Sequence, residues 1–287
     1  MPLHVEIEGE GPPLVLLHGF TQTCRVWGPF GDLLARDHML LRVDLPGHGG
    51  SADVAVADLW ETSHLVRTAV HHALAARGER PVYDLVGYSL GARVALHVAL
   101  DATTRTEESP TEDGRTPRSV VLISGTGGIE NSQARLRRRQ ADDSVAEDLE
   151  TSGDAAQFID RWLEGPMFSR LGHHAQPEER YRNTAAGLSR SLRANGTGTQ
   201  EPLWARLAAL GTPTLALAGA DDARFAAYAV RIASSVPHGV ASLVPGGGHA
   251  VHLAQPRACW RIVEHWLSGI QKEESRREKS SHRELEP

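Results

Sequence analysis

The sequence predicts an α/β protein: a mostly parallel central sheet covered by helices on both faces, with a helical lid inserted between two of its strands. Short runs rich in Leu and β-branched residues alternate with amphipathic stretches of helix length. Most of these runs are apolar throughout, the pattern of strands covered on both sides rather than one. The interval 125–212 breaks the alternation, because it carries helical periodicity and many arginines but no strand-like run.

In chain order the strand-like runs are 14–18 (LVLLH), 39–44 (MLLRVD), 82–86 (VYDLV), 119–124 (SVVLIS), 213–218 (PTLALA) and 240–244 (VASLV). Helix-length segments fall at 60–77, 89–102, 224–235 and 255–268, with Ser89 opening one and Pro256 beginning another, both favoured at helix starts. Amphipathic stretches at 131–150, 154–164 and 177–193 furnish the lid. The expected division is therefore a core of 1–127 and 200–270, a lid of 128–199, and a polar tail, 271–287. Both that tail and the loop 103–117 (TTRTEESPTEDGRTP) have too few apolar residues to pack, and disorder is expected in each.

The 287 residues are 40% hydrophobic and 23% charged, enough apolar material for one large core and incompatible with disorder throughout. A net charge of −6 gives a long-range field of the wrong sign for nucleic acid or anionic membrane, so a small ligand is the expected partner. Cys24 and Cys259, far apart and without neighbours at ligand spacing, indicate neither a disulfide framework nor a zinc site. With no apolar run of membrane-spanning length and no basic, apolar leader at the start, a cytoplasmic protein is expected. Oligomeric state is not legible.

Gly87-Tyr88-Ser89-Leu90-Gly91 joins an apolar run to a helix-like segment. In such a strand-to-helix elbow the glycines relieve crowding and the serine hydroxyl is left exposed at the helix N-terminus. A reactive serine needs an imidazole to take its proton and a carboxylate to orient that imidazole. Asp221 and Asp222 follow one later strand and His249 follows the next, so Ser89, Asp222 and His249 fit that order. Helix capping by the aspartates and a surface role for the histidine are the competing accounts. Phe20, in the loop after the first strong strand, and Leu90, after the serine, are placed to offer backbone N–H groups to an oxyanion. His18 is expected to support that loop by packing, and His71, His72, His173, His174 and His252 to be structural or solvent-facing.

The stretches LHGFTQTCRVW (17–27), VDLPGHGGS (43–51), LVGYSLGAR (85–93), AGADDARF (218–225) and GGGHAVHLAQP (246–256) resemble the α/β-hydrolase superfamily. Within it they are similar to the synthases of menaquinone biosynthesis that eliminate pyruvate, and ARLRRRQADD (134–143), RWLEGPMF (161–168) and GLSRSLRANGTGTQEPLW (187–204) extend the likeness into the lid. The resemblance implies an α/β-hydrolase fold, no cofactor and no metal, and a substrate bearing several carboxylates. It assigns Arg93, Arg138 and Arg193 to those carboxylates, and guanidinium forks suit them. For Arg138 the rival reading is an ordinary helix-surface pair with Asp142, four residues on, and Arg135 and Arg139 are read as surface residues. The likeness also places Tyr88, Trp162 and Phe168 near substrate, against core packing of the lid, and its Gly-x-x-Asp-x-x-Phe pattern from Gly219 to Phe225 selects Asp222 over Asp221. Ala92 stands where glycine is common in the family.

The reaction so implied uses Ser89 as a base, with Asp222 and His249 behind it, to remove a proton beside a succinyl ketone and expel an enolpyruvyl group as pyruvate. The alternatives are a serine hydrolase acting on a small carboxylate-bearing ester or carbon–carbon bond, and a ligand-binding module that keeps the fold without the chemistry.

Overall fold

Alternate residues of the central strands enter opposite cores. Val15 and Leu17 pack on one face with Leu41, Val43 and Leu85, while Leu14 and Leu16 pack on the other with Leu40, Val86 and Val121. Period-two geometry makes this unavoidable once both faces are covered, and it is why the runs read as apolar throughout. The computed structural model describes residues 2–101, 117–168 and 171–284. The expected mobile loop 103–117 lies outside these except for its last residue, as do residues 285–287 of the tail.

The elements in order are β1 (Val5–Glu8), β2 (Pro13–Leu17), α1 (Gly28–Leu34), β3 (Met39–Val43), α2 (Leu59–Ala75), β4 (Asp84–Tyr88), α3 (Leu90–Asp101) and β5 (Val120–Ile123). Then come α4 (Ser132–Ser152), α5 (Ala155–Leu163), α6 (Pro177–Arg180), α7 (Ala185–Asn195), β6 (Thr214–Gly219), α8 (Ala223–Ser235), β7 (Gly239–Val244), α9 (Val251–Ala254) and α10 (Pro256–Glu284). The sheet runs β1-β3-β2-β4-β5-β6-β7, parallel except for β1, which pairs antiparallel with β3. Helices α2 and α3 supply one core and α1 and α10 the other.

Between β5 and β6, α4 to α7 form the helical insertion, with each of three helix starts capped by a side chain. Asn131 accepts from the Ala134 N–H, Asp154 from the Gln157 N–H and Thr184 from the Gly187 N–H. Leu149, Ile159, Ala185 and Leu188 make a small core of their own. The stretch expected as one segment over 177–193 is two helices, because the Thr184 cap starts α7 afresh.

The tail expectation needs correcting: α10 continues through 271–284 instead of ending where apolar residues stop. A helix already nucleated on the core gains one hydrogen bond per added residue, and Gln, Lys, Glu and Arg extend it readily without packing. No helix among the described residues is long and apolar enough to cross a membrane.

Candidate active site

Ser89 sits between the last residue of β4 and the first of α3, at φ +50°. Its N–H donates to the Ile123 carbonyl at 2.9 Å and its carbonyl accepts from the Arg93 N–H, so sheet and helix together hold the strained turn. A side chain on Gly87 would collide with the Gly91 carbonyl, and one on Gly91 with the Leu17 carbonyl. Both glycines are therefore required by contact.

His249, buried after β7, brings Nε2 to 3.0 Å from the Ser89 Oγ, and its own carbonyl accepts a 2.7 Å bond from the Ser124 hydroxyl. Asp222 Oδ2 lies 3.4 Å from His249 Nδ1, a long ion-pair contact without the alignment of a good hydrogen bond. The other carboxylate oxygen accepts from the Phe225 N–H and caps α8, so Asp222 caps a helix while its second oxygen faces the imidazole. Burial pushes the His249 pKa down, opposed by the Asp222 carboxylate. At Asp222 burial pushes the carboxyl up, but His249, the Phe225 amide and Arg224 outweigh it and hold the pKa below its ordinary value. A neutral imidazole next to an ionised carboxylate is the state that can accept a serine proton.

The amides of Phe20 and Leu90 have no hydrogen-bond partner among the described residues, and both residues line the pocket that contains Ser89. His18 is fully buried beneath this loop. Its Nδ1 lies 2.8 Å from the Gly19 carbonyl and its Nε2 accepts from the Leu45 N–H, which fixes one neutral tautomer. Burial takes its pKa to about 4, as fits a packed support rather than a proton carrier.

Ser89, His249, Phe20, Leu90, Arg93, Arg138 and Trp162 line one pocket. Arg93 is buried and donates to the Asn195 carbonyl at 2.7 Å; desolvation, with the charge of Arg138, lowers its pKa to about 10, so it remains a cation at neutral pH. Arg138 makes the helix-surface pair with Asp142 at 2.8 Å and also lines the pocket. Tyr88 and Phe168 sit behind the wall, their rings 5.4 and 6.2 Å from the His249 ring. Trp162 packs edge-on against Phe20 at 5.4 Å, linking the insertion to the loop after β2.

Arg193 is not brought there. It pairs with Glu150 and donates to the Ser189 hydroxyl. On α7 the pocket takes Ser191, Leu192 and Asn195, and Arg193 lies about 200° around the helix from Ser191, facing α4 instead. Sequence reasoning also missed Arg224, which lines the pocket from the start of α8; its place two residues past Asp222 was the available signal.

Among the histidines set aside, His252 is wholly buried against Tyr88 and Trp27, and burial drives its pKa to about 3. The side chain of His173 lies outside the described residues. His4, Glu6 and Cys24 bring ligand-type atoms within 4.8 Å of one another, but Arg25 donates to both Glu6 oxygens and burial raises the Cys24 thiol pKa, which disfavours the thiolate a metal needs.

A family model described as the alpha/beta hydrolase family matches residues 14–262. The chain is 32% identical over 249 residues to the 2-succinyl-6-hydroxy-2,4-cyclohexadiene-1-carboxylate synthase of Escherichia coli O7:K1, covering 85% of this chain and 89% of that protein. The structure of MenH from S. aureus superposes with a TM-score of 0.80 at 26% identity, covering 93% of this chain and 99% of that one. A thermophilic esterase from Thermogutta terrifontis shares the fold, with a TM-score of 0.74 at 22% identity and 93% of each chain covered.

Proposed function

The chain belongs to the alpha/beta hydrolase family and, within it, to the 2-succinyl-6-hydroxy-2,4-cyclohexadiene-1-carboxylate synthases, and from that membership we propose that it eliminates pyruvate from 2-succinyl-5-enolpyruvyl-6-hydroxy-3-cyclohexene-1-carboxylate in menaquinone biosynthesis. The observation that carries the reading is the meeting of a serine–histidine contact with arginines in one pocket. Ser89 Oγ lies 3.0 Å from His249 Nε2, and Arg93 and Arg138 line the same walls. Guanidinium groups there suit a polycarboxylate, whereas hydrolysis of a neutral ester has no use for them.

Ser89, relieved of its proton by His249, removes the hydrogen on the ring carbon beside the succinyl ketone. Negative charge gathering on the ketone oxygen is met by the Phe20 and Leu90 amides. The C–H electron pair forms a new ring double bond, the existing one moves over by one carbon, and the C–O bond to the enolpyruvyl group breaks. The proton held by His249 returns to the departing enolpyruvate, which becomes pyruvate. Arg93 and Arg138 fix the ring so that the acidic hydrogen faces the serine oxygen, the kind of positioning that lowers a barrier by several kcal/mol.

The test supplies this substrate to the purified protein and follows pyruvate and diene absorbance together. Release that falls by about 10³-fold in Ser89→Ala supports the elimination. Hydrolysis of a simple ester without pyruvate release overturns it in favour of a serine hydrolase.

A further inference from the structure

We infer that Arg224 binds the carboxylate of the enolpyruvyl leaving group, making a subsite for pyruvate on the His249 side of the pocket. The inference rests on the elimination proposed above and deepens it. Such a substrate carries three carboxylates, on the ring, the succinyl arm and the enolpyruvyl group, and three guanidinium groups line the pocket: Arg93, Arg138 and Arg224. Two of them are already engaged by protein, Arg93 with the Asn195 carbonyl and Arg138 with Asp142. Arg224 makes no hydrogen bond or ion pair among the described residues, so its whole donor fork is open to a ligand.

Position separates the three further. Arg138 is close enough to Arg93 for its charge to depress the Arg93 pKa, so these two form one pole of the pocket. Arg224 forms the other. It enters from the first turn of α8, two residues after the Asp222 cap, and its charge lowers the proton affinity of both Asp222 and His249. It also faces the neighbouring cleft beside Asp222, His249 and Met167.

The chemistry is served by a fixed cation at that pole. The bond that breaks leaves its electron pair on the enolpyruvate oxygen, and the proton that quenches it comes back from His249. The leaving group must therefore lie beside the imidazole Nε2, the edge that faces Ser89. A guanidinium on that side holds the enolpyruvyl carboxylate within reach of the proton, and Arg224 lines the pocket there with His249. The diene product has lost the enolpyruvyl carboxylate and has nothing left for Arg224 to hold.

That asymmetry supplies the test, made on the full chain with Arg224→Gln and Arg224→Lys. In Arg224→Gln, kcat/KM for the enolpyruvyl substrate should fall by about 10- to 100-fold, the range of one lost charged hydrogen bond. Competitive inhibition by pyruvate should weaken in parallel, Arg224→Lys should restore most of both, and the inhibition constant of the diene product should stay within about two-fold. Product binding that weakens in step with substrate binding would overturn the assignment, as would unchanged substrate or pyruvate constants. Wild-type protein that releases no pyruvate would instead reject the elimination itself, and the subsite with it.

Discussion

Asn183 Nδ2 donates to the Thr21 carbonyl at 2.9 Å, so a residue of the helical insertion holds the backbone immediately after Phe20. Arg180, nearly wholly buried, adds a 2.8 Å bond from Nη1 to the Thr21 hydroxyl, and Asn183 Oδ1 accepts from the Gly49 N–H. Thr21 itself sits at φ +65°, a conformation a threonine keeps only under restraint. The insertion therefore does more than cover the pocket: it holds the backbone beside the Phe20 amide, which is proposed above to receive the oxyanion. Asn183→Ala should lower kcat by about 10-fold with a smaller change in KM, since a donor misplaced by a fraction of an ångström loses mainly transition-state stabilisation. Steady-state kinetics beside a melting curve would check this, and a KM effect alone would contradict it.

Ser89 is held at φ +50°, where glycine is at ease and serine is not. Ser89→Gly should abolish turnover while raising stability by about 1 kcal/mol, or about 2–4 °C in Tm. Calorimetry on the variant decides it, and an unchanged or lower Tm would mean that the elbow stores no strain.

The rate should rise with pH as His249 loses its proton, along a limb centred below 6.5 because burial outweighs the Asp222 carboxylate. At neutral pH the profile should be flat. Asp222→Asn removes the influence that raises the His249 pKa, so the limb should move to still lower pH while the rate drops by about 10³-fold or more. A pH profile of kcat/KM for both proteins tests the sign.

Four buried histidines should make the fold sensitive to acid. Burial takes the folded pKa of His18 and His97 to about 4 and that of His48 and His252 to about 3, against 6.5 in the unfolded chain. The unfolded state then binds more protons, so the stability they contribute is complete above pH 6.5 and is lost as pH falls toward 4 and 3. Urea melts at pH 7 and 5 should show a marked drop, with unfolding near pH 5 taking up about one proton per histidine.

Arg93→Ala and Arg193→Ala should separate cleanly. Arg193 faces Glu150 on the surface, so its loss should leave KM within about two-fold and stability within about 0.5 kcal/mol. Arg93 is buried at the pocket wall, and its loss should raise KM by about 10-fold or more and lower Tm. Equal effects would place Arg193 in the site after all.

The central strands were legible because burial on both faces leaves mostly apolar residues, and the elbow because its two glycines answer to backbone contacts one turn apart. β1 was not legible: VEIE is short, half polar and at an edge, and only its pairing with β3 makes it a strand. Ser89, Asp222 and His249 could be picked out because each directly follows a strand, and the structure brings the three side chains together. Arg193 falls outside the pocket lining, because sequence shows that an arginine is on a helix but not which way the helix is turned once it packs. Arg180, Asn183 and Arg224 went unnoticed for a related reason, since their roles depend on partners more than a hundred residues away or on what is left unpaired.

Ser89 is mounted on β4, flanked by strands on both sides and buried along its whole length, whereas His249 follows β7, the outermost strand, which leaves Val240 and Leu243 about half exposed. The Ser89 oxygen is thus anchored on an interior strand of the sheet, and the imidazole beside it hangs from an edge strand. Sub-global opening of that margin would pull the imidazole away from the hydroxyl while the rest of the sheet stays intact. Inactivation should consequently run ahead of melting under mild denaturant, and the working range of the enzyme should be governed by one frayed border rather than by the bulk of its core.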